Sequence, residues 1–524
     1  MNRMIKQNKI IILKCVLIIT LFVFLVFVSE KKEGMYVDEY FSFLLANTSE
    51  LELDAMQGTN TYTGQELLDV FYVQGEADQF DFRTVWENQI NDNHPPLFYS
   101  IVHIICSLTM QRYDMITVGL AINIVVGMLA FVVMMKLAEV FIENKTVAAV
   151  YAFISCSTCY FVNNVTFVRM YMLLMFFTIL LVYVLCRQIG KDTYKLSFFV
   201  QLYLITFLGV FTQYFFLIML AFCCLVMMVY LIFKKKWKEL VGGIVSVGAA
   251  LGTVYLCFPA VISHLFASQR GTQAFTNAGD SDFVKRLSEM YSIIDIEIFG
   301  KISVLVLGLL VLSAITYGYR MKAGTDRVSK LDYKYVMLLL PAIMSFCVIA
   351  KIAPGSTDRY IMETMPFISL GIFLILRELL SGVAKSRLAD SIVLIVMILC
   401  AILSYQDSAL NYLYEHTDEY KTRIEQYGTD TKVIYLYAED DLYRAQSNLY
   451  ELRDMTDITF YWHTDFLVYT TDFSLYDQLL VFSDMDMTDD ELNEIMKIVT
   501  EKGQYASCEE IEATGYATAY LLNR

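Results

Sequence analysis

The chain has 524 residues, of which 57% are hydrophobic and 14% aromatic, with only 6 prolines and a mean hydropathy of +0.50. No ordinary soluble domain combines these figures, so they indicate a polytopic membrane protein. The formal charge of −15 is uneven: residues 406–524 carry 25 acids against 8 bases (−17), which leaves 30 acids and 32 bases (+2) for residues 1–405. The acidity belongs to one appended segment and disfavours nucleic acid or anionic polymers as its ligands.

In chain order, Arg3, Lys6 and Lys9 precede a nineteen-residue apolar run, 10–28, long enough to cross a bilayer. Phe27-Val-Ser-Glu30 offers no small-x-small cleavage site, so the run reads as a retained first helix with a cytoplasmic N-terminus. An unusually long outer loop follows, 30–96, with helices expected at 38–47 and about 63–73 and a polar run at 78–92. Long loops of this kind are usually functional.

Further apolar runs lie at 97–110, 115–140, 147–162, 171–186, 196–211, 215–233, 241–261, 302–317, 335–350, 367–376 and 392–403. Positive charge in Lys234-Lys-Lys-Trp-Lys238, 320–334 and 377–387 puts those loops in the cytoplasm. Twelve crossings would then strand the tail on the wrong side. The fourteen-residue run 97–110, opened by Pro95-Pro96, is too short to cross and reads as re-entrant or surface-lying. About 11 transmembrane helices remain, and Asp38, Glu39, His94, Arg169, Tyr171, Gln213, Arg359 and Tyr360 all fall at the outer face. A second outer loop, 263–296, carries His264, Gln269, Arg270 and Lys285 and suits a gate over that face.

From residue 404 the texture changes. Strands are expected at 432–437, 458–462, 478–483, 505–509 and 517–522, alternating with helices at 440–452 and 489–502, after an amphipathic connecting helix at 408–426. This pattern predicts a small α/β domain with a largely parallel sheet. It contains no Gly-rich phosphate loop and no nucleophile elbow, so an accessory role is expected. The domains are accordingly 1–405, a transmembrane body, and 406–524, an acidic extracytoplasmic domain. Ten of the eleven cysteines lie in apolar stretches and Cys508 stands alone in the tail, which leaves no disulfide framework.

Asp38-Glu39 sits where the chain first meets water, among Tyr36, Tyr40, Phe41 and Phe43, rings that favour the headgroup zone. Asn91-Asp-Asn-His-Pro-Pro-Leu-Phe-Tyr99 answers it. Arg169-Met-Tyr171, Phe211-Thr-Gln-Tyr214 and Asp358-Arg-Tyr360 with Pro366 follow in order. This ordered set, across roughly 10–403, resembles glycosyltransferase family 39 of the GT-C superfamily, which includes protein O-mannosyltransferases and aminoarabinose transferases. The resemblance implies a multi-spanning enzyme that takes a sugar from a polyprenyl monophosphate and delivers it to a cell-envelope glycan, lipid or protein at the outer face. By that match Asp38 corresponds to the catalytic aspartate of the first loop. Many relatives have His where this chain has Gln213, and some have Lys where it has His94.

The chemistry agrees with that reading. A hydroxyl attacking an anomeric carbon needs a base and something cationic to receive the departing phosphate. Asp38, with Glu39 beside it, supplies the first; Arg169, Arg359 and protonated His94 suit the second, since guanidinium meets phosphate with paired donors. Tyr171, Gln213 and Tyr360 complete the expected substrate contacts. One displacement with one base would invert the anomeric centre. No particular cofactor follows from these residues, and a divalent metal stays open, since Asp38, Glu39, Asp92 and His94 are of the type that can hold one. A lipid-linked sugar transporter or flippase should place ionisable groups in mid-span and show repeated halves. A membrane scaffold would not need the outer-face set at all.

Overall fold

The computed structural model describes residues 2–48, 60–279, 282–322, 332–382, 385–406, 410–415, 429–437, 445–462, 472–484, 487–511 and 517–524. The connecting helix expected at 408–426 lies almost wholly outside the described residues. By contacts the chain forms two compact units. The first comprises Met1–Val28, Gln89–Phe98 and Leu120–Asn411, the second Ser29–Asn88, Tyr99–Gly119 and Tyr412–Arg524. Hydropathy draws a boundary at 405/406, whereas contacts group the first loop with the tail.

The first unit is built of apolar helices. Seven helices among the described residues are long and apolar enough to cross a membrane, or eight if a bent pair is one span. They include α1 (Asn2–Ser29), α6 (Met115–Phe141), α11 (Phe216–Phe233), α12 (Trp237–Cys257) and α17 (Tyr333–Ile352). The protein is thus a multi-pass membrane protein. A count of eleven crossings requires three shorter helices as well, α9 (Tyr171–Cys186, 16 residues), α10 (Leu196–Thr212, 17 residues) and α18 (Met365–Ser381, 17 residues). Lys14 on α1 and Glu139 on α6 form an ion pair that neutralises two charges borne by spanning helices.

The single run expected at 147–162 is instead two helices, α7 (Lys145–Ser155) and α8 (Cys159–Thr166), bent by 61°. Apolar composition hides the break: Thr158 is extended, its hydroxyl donates to the Ser155 carbonyl at 2.7 Å, and the Cys159 N–H is taken up by the distant Ser404 hydroxyl at 3.1 Å. Every residue of α8 is buried, including Asn163 and Asn164. The expected outer loop 263–296 is mostly helical, with α13 (Val261–Phe266), α14 (Gln269–Gly279) and α15 (Phe283–Phe299).

The second unit centres on a five-stranded sheet of order β2-β1-β3-β5-β4. Strands β1 (Lys432–Tyr437), β2 (Ile458–Trp462) and β3 (Gln478–Asp484) are parallel, while β4 (Ser507–Ile511) and β5 (Ala517–Asn523) run antiparallel at the far edge. Ile434, Leu436, Leu479 and Val481 meet Ile495 and Val499 of helix α20 (Asp489–Gly503), which Thr488 and Glu491 cap reciprocally. From the first loop, Tyr62 bridges Ile458, and the N–H of Gly64 donates to the Met455 carbonyl at 2.8 Å. A Cβ on Gly64 would lie 1.9 Å from the Leu452 carbonyl oxygen, so only glycine permits this approach. That contact is why 60–88 belongs with the tail.

Candidate functional site

Helix α2 (Val37–Asn47) begins where the sequence places it, with both acids in its first turn. Glu39 turns inward. Its Oε2 accepts from Lys32 Nζ at 3.0 Å and from the Tyr36 N–H at 2.6 Å, and the Lys32 and Glu39 side chains are both 0% exposed. Lys32 also donates to the Tyr412 carbonyl at 2.5 Å and lies over the Tyr414 ring at 5.3 Å. Burial lowers the pKa of Lys32, and the Glu39 charge opposes that shift. The Glu39 carboxylate therefore locks the entrance of α2. Asp38, one position earlier, is half-buried on a helix whose other face is fixed by Tyr40 against Phe71 and Tyr450. At the far end, Asn47 donates to the Phe71 carbonyl at 2.8 Å and Asn88 to the Leu45 and Thr48 carbonyls at 3.1 and 2.7 Å. Asp38 thus stands on a rigid element.

In the first unit, two expected residues, His94 and Arg169, come together with one acid, Asp92. His94 Nδ1 lies 2.6 Å from Asp92 Oδ2. Burial pushes the Asp92 carboxyl up, but His94, Arg169 and the Asn93 N–H hold it down at about 2. An ionised carboxylate only accepts, so His94 carries its hydrogen on Nδ1. Arg169 is 4% exposed and sits in the tight turn between α8 and α9. Its N–H donates to the Phe167 carbonyl at 2.7 Å, while Asn123 of α6 donates to the Val165 and Phe167 carbonyls at 3.1 and 2.7 Å. The same turn places Tyr171 parallel to Phe167, with ring centroids 5.6 Å apart.

Gln213 ends α10 with its side-chain oxygen accepting the Tyr214 N–H. Its amide oxygen shapes the turn, which sends the next two rings to different partners. Tyr214 donates to His264 Nδ1 at 2.9 Å, and His264 Nε2 donates to the Ile90 carbonyl at 3.1 Å. The carbonyl can only accept, which fixes that tautomer. Burial lowers the pKa of His264 and raises that of Tyr214, and the Asp92 charge reaches both. Phe215 meets Tyr360 edge-on at 5.7 Å. Arg359 lies over the Tyr360 ring at 5.0 Å and donates to its hydroxyl at 3.3 Å.

Sequence reasoning missed what holds the Asp358-Arg359-Tyr360 turn. Asp358 accepts from the Arg359 N–H at 2.8 Å and from Asn411 Nδ2 at 3.3 Å, and faces Glu297 of α15. Asn163 donates to Glu297 Oε1 at 3.1 Å and accepts the Asn411 N–H at 3.1 Å. Burial, then the Asp358 charge, raises the pKa of Glu297 and so favours its protonated form. Glu363 was missed too: it is 0% exposed, neither carboxyl oxygen has a hydrogen-bond partner, and burial raises its pKa to about 8. A lone acid in apolar sequence was the available signal for Glu363, and the Asp295–Glu297 pair in an apolar run was the signal for Glu297. Among the described residues no group of three or more His, Cys, Asp or Glu is placed to hold a metal ion.

Comparison with solved structures gives the fold class. The chain is similar to ArnT from Cupriavidus metallidurans bound to undecaprenyl phosphate, with a TM-score of 0.51 and 11% identity, covering 97% of each chain. An oligosaccharyltransferase from Archaeoglobus fulgidus in complex with zinc and sulfate matches with a TM-score of 0.46 and 12% identity, over 95% of this chain and 72% of that one. At that TM-score the chain shares the fold of the first of these structures. No protein-family model matches the chain, and no curated protein does.

Proposed function

We propose that the protein is a membrane glycosyltransferase that moves a sugar from a polyprenyl-monophosphate donor to an acceptor at the outer face, with inversion and with Asp38 as general base. The observation that carries this reading is the His94–Asp92–Arg169 cluster on a GT-C fold: a buried guanidinium and an oriented imidazole, beside a carboxyl whose pKa is held below its usual range, suit a leaving phosphate. The similarity to a protein bound to undecaprenyl phosphate favours the same class of carrier lipid. Arg359, stacked on Tyr360, is a second cationic contact for the donor, and Tyr171 and Gln213 shape the surrounding turns. Asp38 takes the acceptor hydroxyl proton as the new glycosidic bond forms and the anomeric carbon–phosphate bond breaks, and the electron pair leaves on the phosphate. Glu39 acts by fixing α2 through Lys32. We assign the acidic 406–524 domain an extracytoplasmic location and an accessory role in acceptor contact.

Mass spectrometry of lipid extracts from a strain lacking the protein tests the donor class. A polyprenyl-phosphate sugar should accumulate and fall again on complementation. An unchanged lipid profile, with the missing sugar recovered as a nucleotide-linked donor, overturns the proposal.

A further inference from the structure

At the opposite end of the first unit from Arg169 and Gln213, helices α9 to α12 enclose a groove of about 490 Å³. The direction of the four helices fixes that placement: it is lined by Leu185 near the end of α9, Phe198 and Leu202 near the start of α10, Leu231 near the end of α11, and Ile244 on α12. The lining is almost entirely apolar, with Tyr194 and Glu239 at the mouth. Leu225 and Ile244 both line it and are 48% and 61% exposed, so the groove opens sideways, toward where lipid lies. Two glycines of α12, Gly243 and Gly248, also line it, and a Cβ on either would meet no atom within 4 Å. The space exists because these positions lack side chains.

The rim is cationic. Arg187, Lys191 and Lys195 lie in the α9–α10 connection with one acid, Asp192, and Lys234, Lys235, Lys236 and Lys238 lie at the α11–α12 turn with Glu239. Lys236 Nζ donates to the Lys191 carbonyl and sits over the Tyr194 ring at 5.6 Å, which ties the two basic segments together at the mouth of the groove. Burial, then the neighbouring charges of Arg187 and Lys195, lowers the pKa of Lys191, as expected where cations crowd without sufficient counter-charge. Basic pockets between spanning helices on the lysine-rich side of a membrane suit anionic headgroups.

We infer that this groove is a binding site for an anionic phospholipid of the lysine-side leaflet, one hydrocarbon chain lying along Gly243 and Gly248 and the phosphate held by Lys191, Lys195 and Lys236. The site is separate from the Asp92–His94–Arg169 cluster, and the inference stands without the transferase reading. A lipid, as opposed to a peptide helix, fits because the groove is apolar along its length and its complementary charge is confined to one end.

The test uses full-length protein incubated with vesicles of equal phosphatidylglycerol and phosphatidylcholine, then washed in non-ionic detergent, with retained phospholipid counted per chain by mass spectrometry. Wild type should retain phosphatidylglycerol in preference to phosphatidylcholine. Gly248→Leu and Gly243→Leu, whose Cβ would meet no atom within 4 Å and whose side chains would extend into the groove, should lose it while eluting as folded, monodisperse protein. Lys191→Gln and Lys195→Gln should each weaken the preference roughly fivefold without abolishing chain binding. Equal retention of the two lipids by wild type, or undiminished phosphatidylglycerol in both glycine variants, overturns the site. Adding undecaprenyl phosphate separates the sources: if it displaces phosphatidylglycerol and is itself lost from Gly248→Leu, the occupant is a polyprenyl phosphate and not a membrane phospholipid.

Discussion

Lys32 and Glu39 form an ion pair at 3.0 Å with both side chains wholly buried, and the same carboxylate oxygen caps α2 through the Tyr36 N–H. The pair fixes the helix that carries Asp38. Removing one member of such a pair leaves an uncompensated buried charge, at a cost of about 3–5 kcal/mol. Lys32→Met should therefore lower the thermal unfolding midpoint of the second unit. Lys32→Met with Glu39→Gln should recover much of the loss, since glutamine still caps and no charge is left. Equal midpoints for Lys32→Met and wild type would show that the pair contributes nothing.

Asp92 has a folded pKa of about 2 against an ordinary value of 3.8. Its contribution to stability is present above 3.8 and is lost as pH falls from there toward 2, because the unfolded state binds the proton first. Asp92→Asn should flatten the acid limb of the stability curve. Arg169→Lys keeps the charge but loses the planar fork. It should raise the apparent KM for the lipid donor about tenfold or more while leaving the acid limb in place.

Glu363 runs the other way. Its folded pKa is raised from 4.5 to about 8, so between those values the folded state holds a proton that the unfolded state has lost, and stability falls as pH rises. Glu363→Gln should abolish that fall and be the more stable protein above pH 8, by on the order of a few kcal/mol. A Gln variant with the wild-type slope would mean the carboxyl is already ionised at neutral pH.

Glu297 tests the proton-bearing pair with Asp358. Glu297→Gln keeps an acceptor for Asn163 and a donor toward Asp358, and should cost no more than about 1 kcal/mol. Glu297→Ala opens a hole and strands Asn163, which should cost about 2–4 kcal/mol. If Gln were as damaging as Ala, Glu297 would be acting as an anion.

Much of this was legible in the sequence, for physical reasons. Tyr171–Cys186 was bounded to the residue, with Arg169 and Arg187 flanking it, and the start of α20 was marked by its Thr-x-x-Glu cap, a local signal. The sheet was expected to be largely parallel; three strands are, but β4 and β5 turn antiparallel, a pairing that hydropathy cannot encode. The kink between α7 and α8 was invisible because a Ser-to-backbone contact from residue 404 makes it. His94 and Arg169 stand out by type and order, whereas Asp92 as the counter-ion of Arg169 and Glu297 as the partner of Asp358 depend on contacts spanning more than sixty residues.

The central claim is that Asp38 removes the acceptor proton. Its direct test is the release of polyprenyl phosphate from a polyprenyl-phosphate sugar by purified wild-type protein and by Asp38→Asn, with acceptor present. The account predicts turnover by wild type and a fall of about 10²- to 10⁴-fold in the variant, with donor binding retained. Undiminished turnover by Asp38→Asn would contradict it.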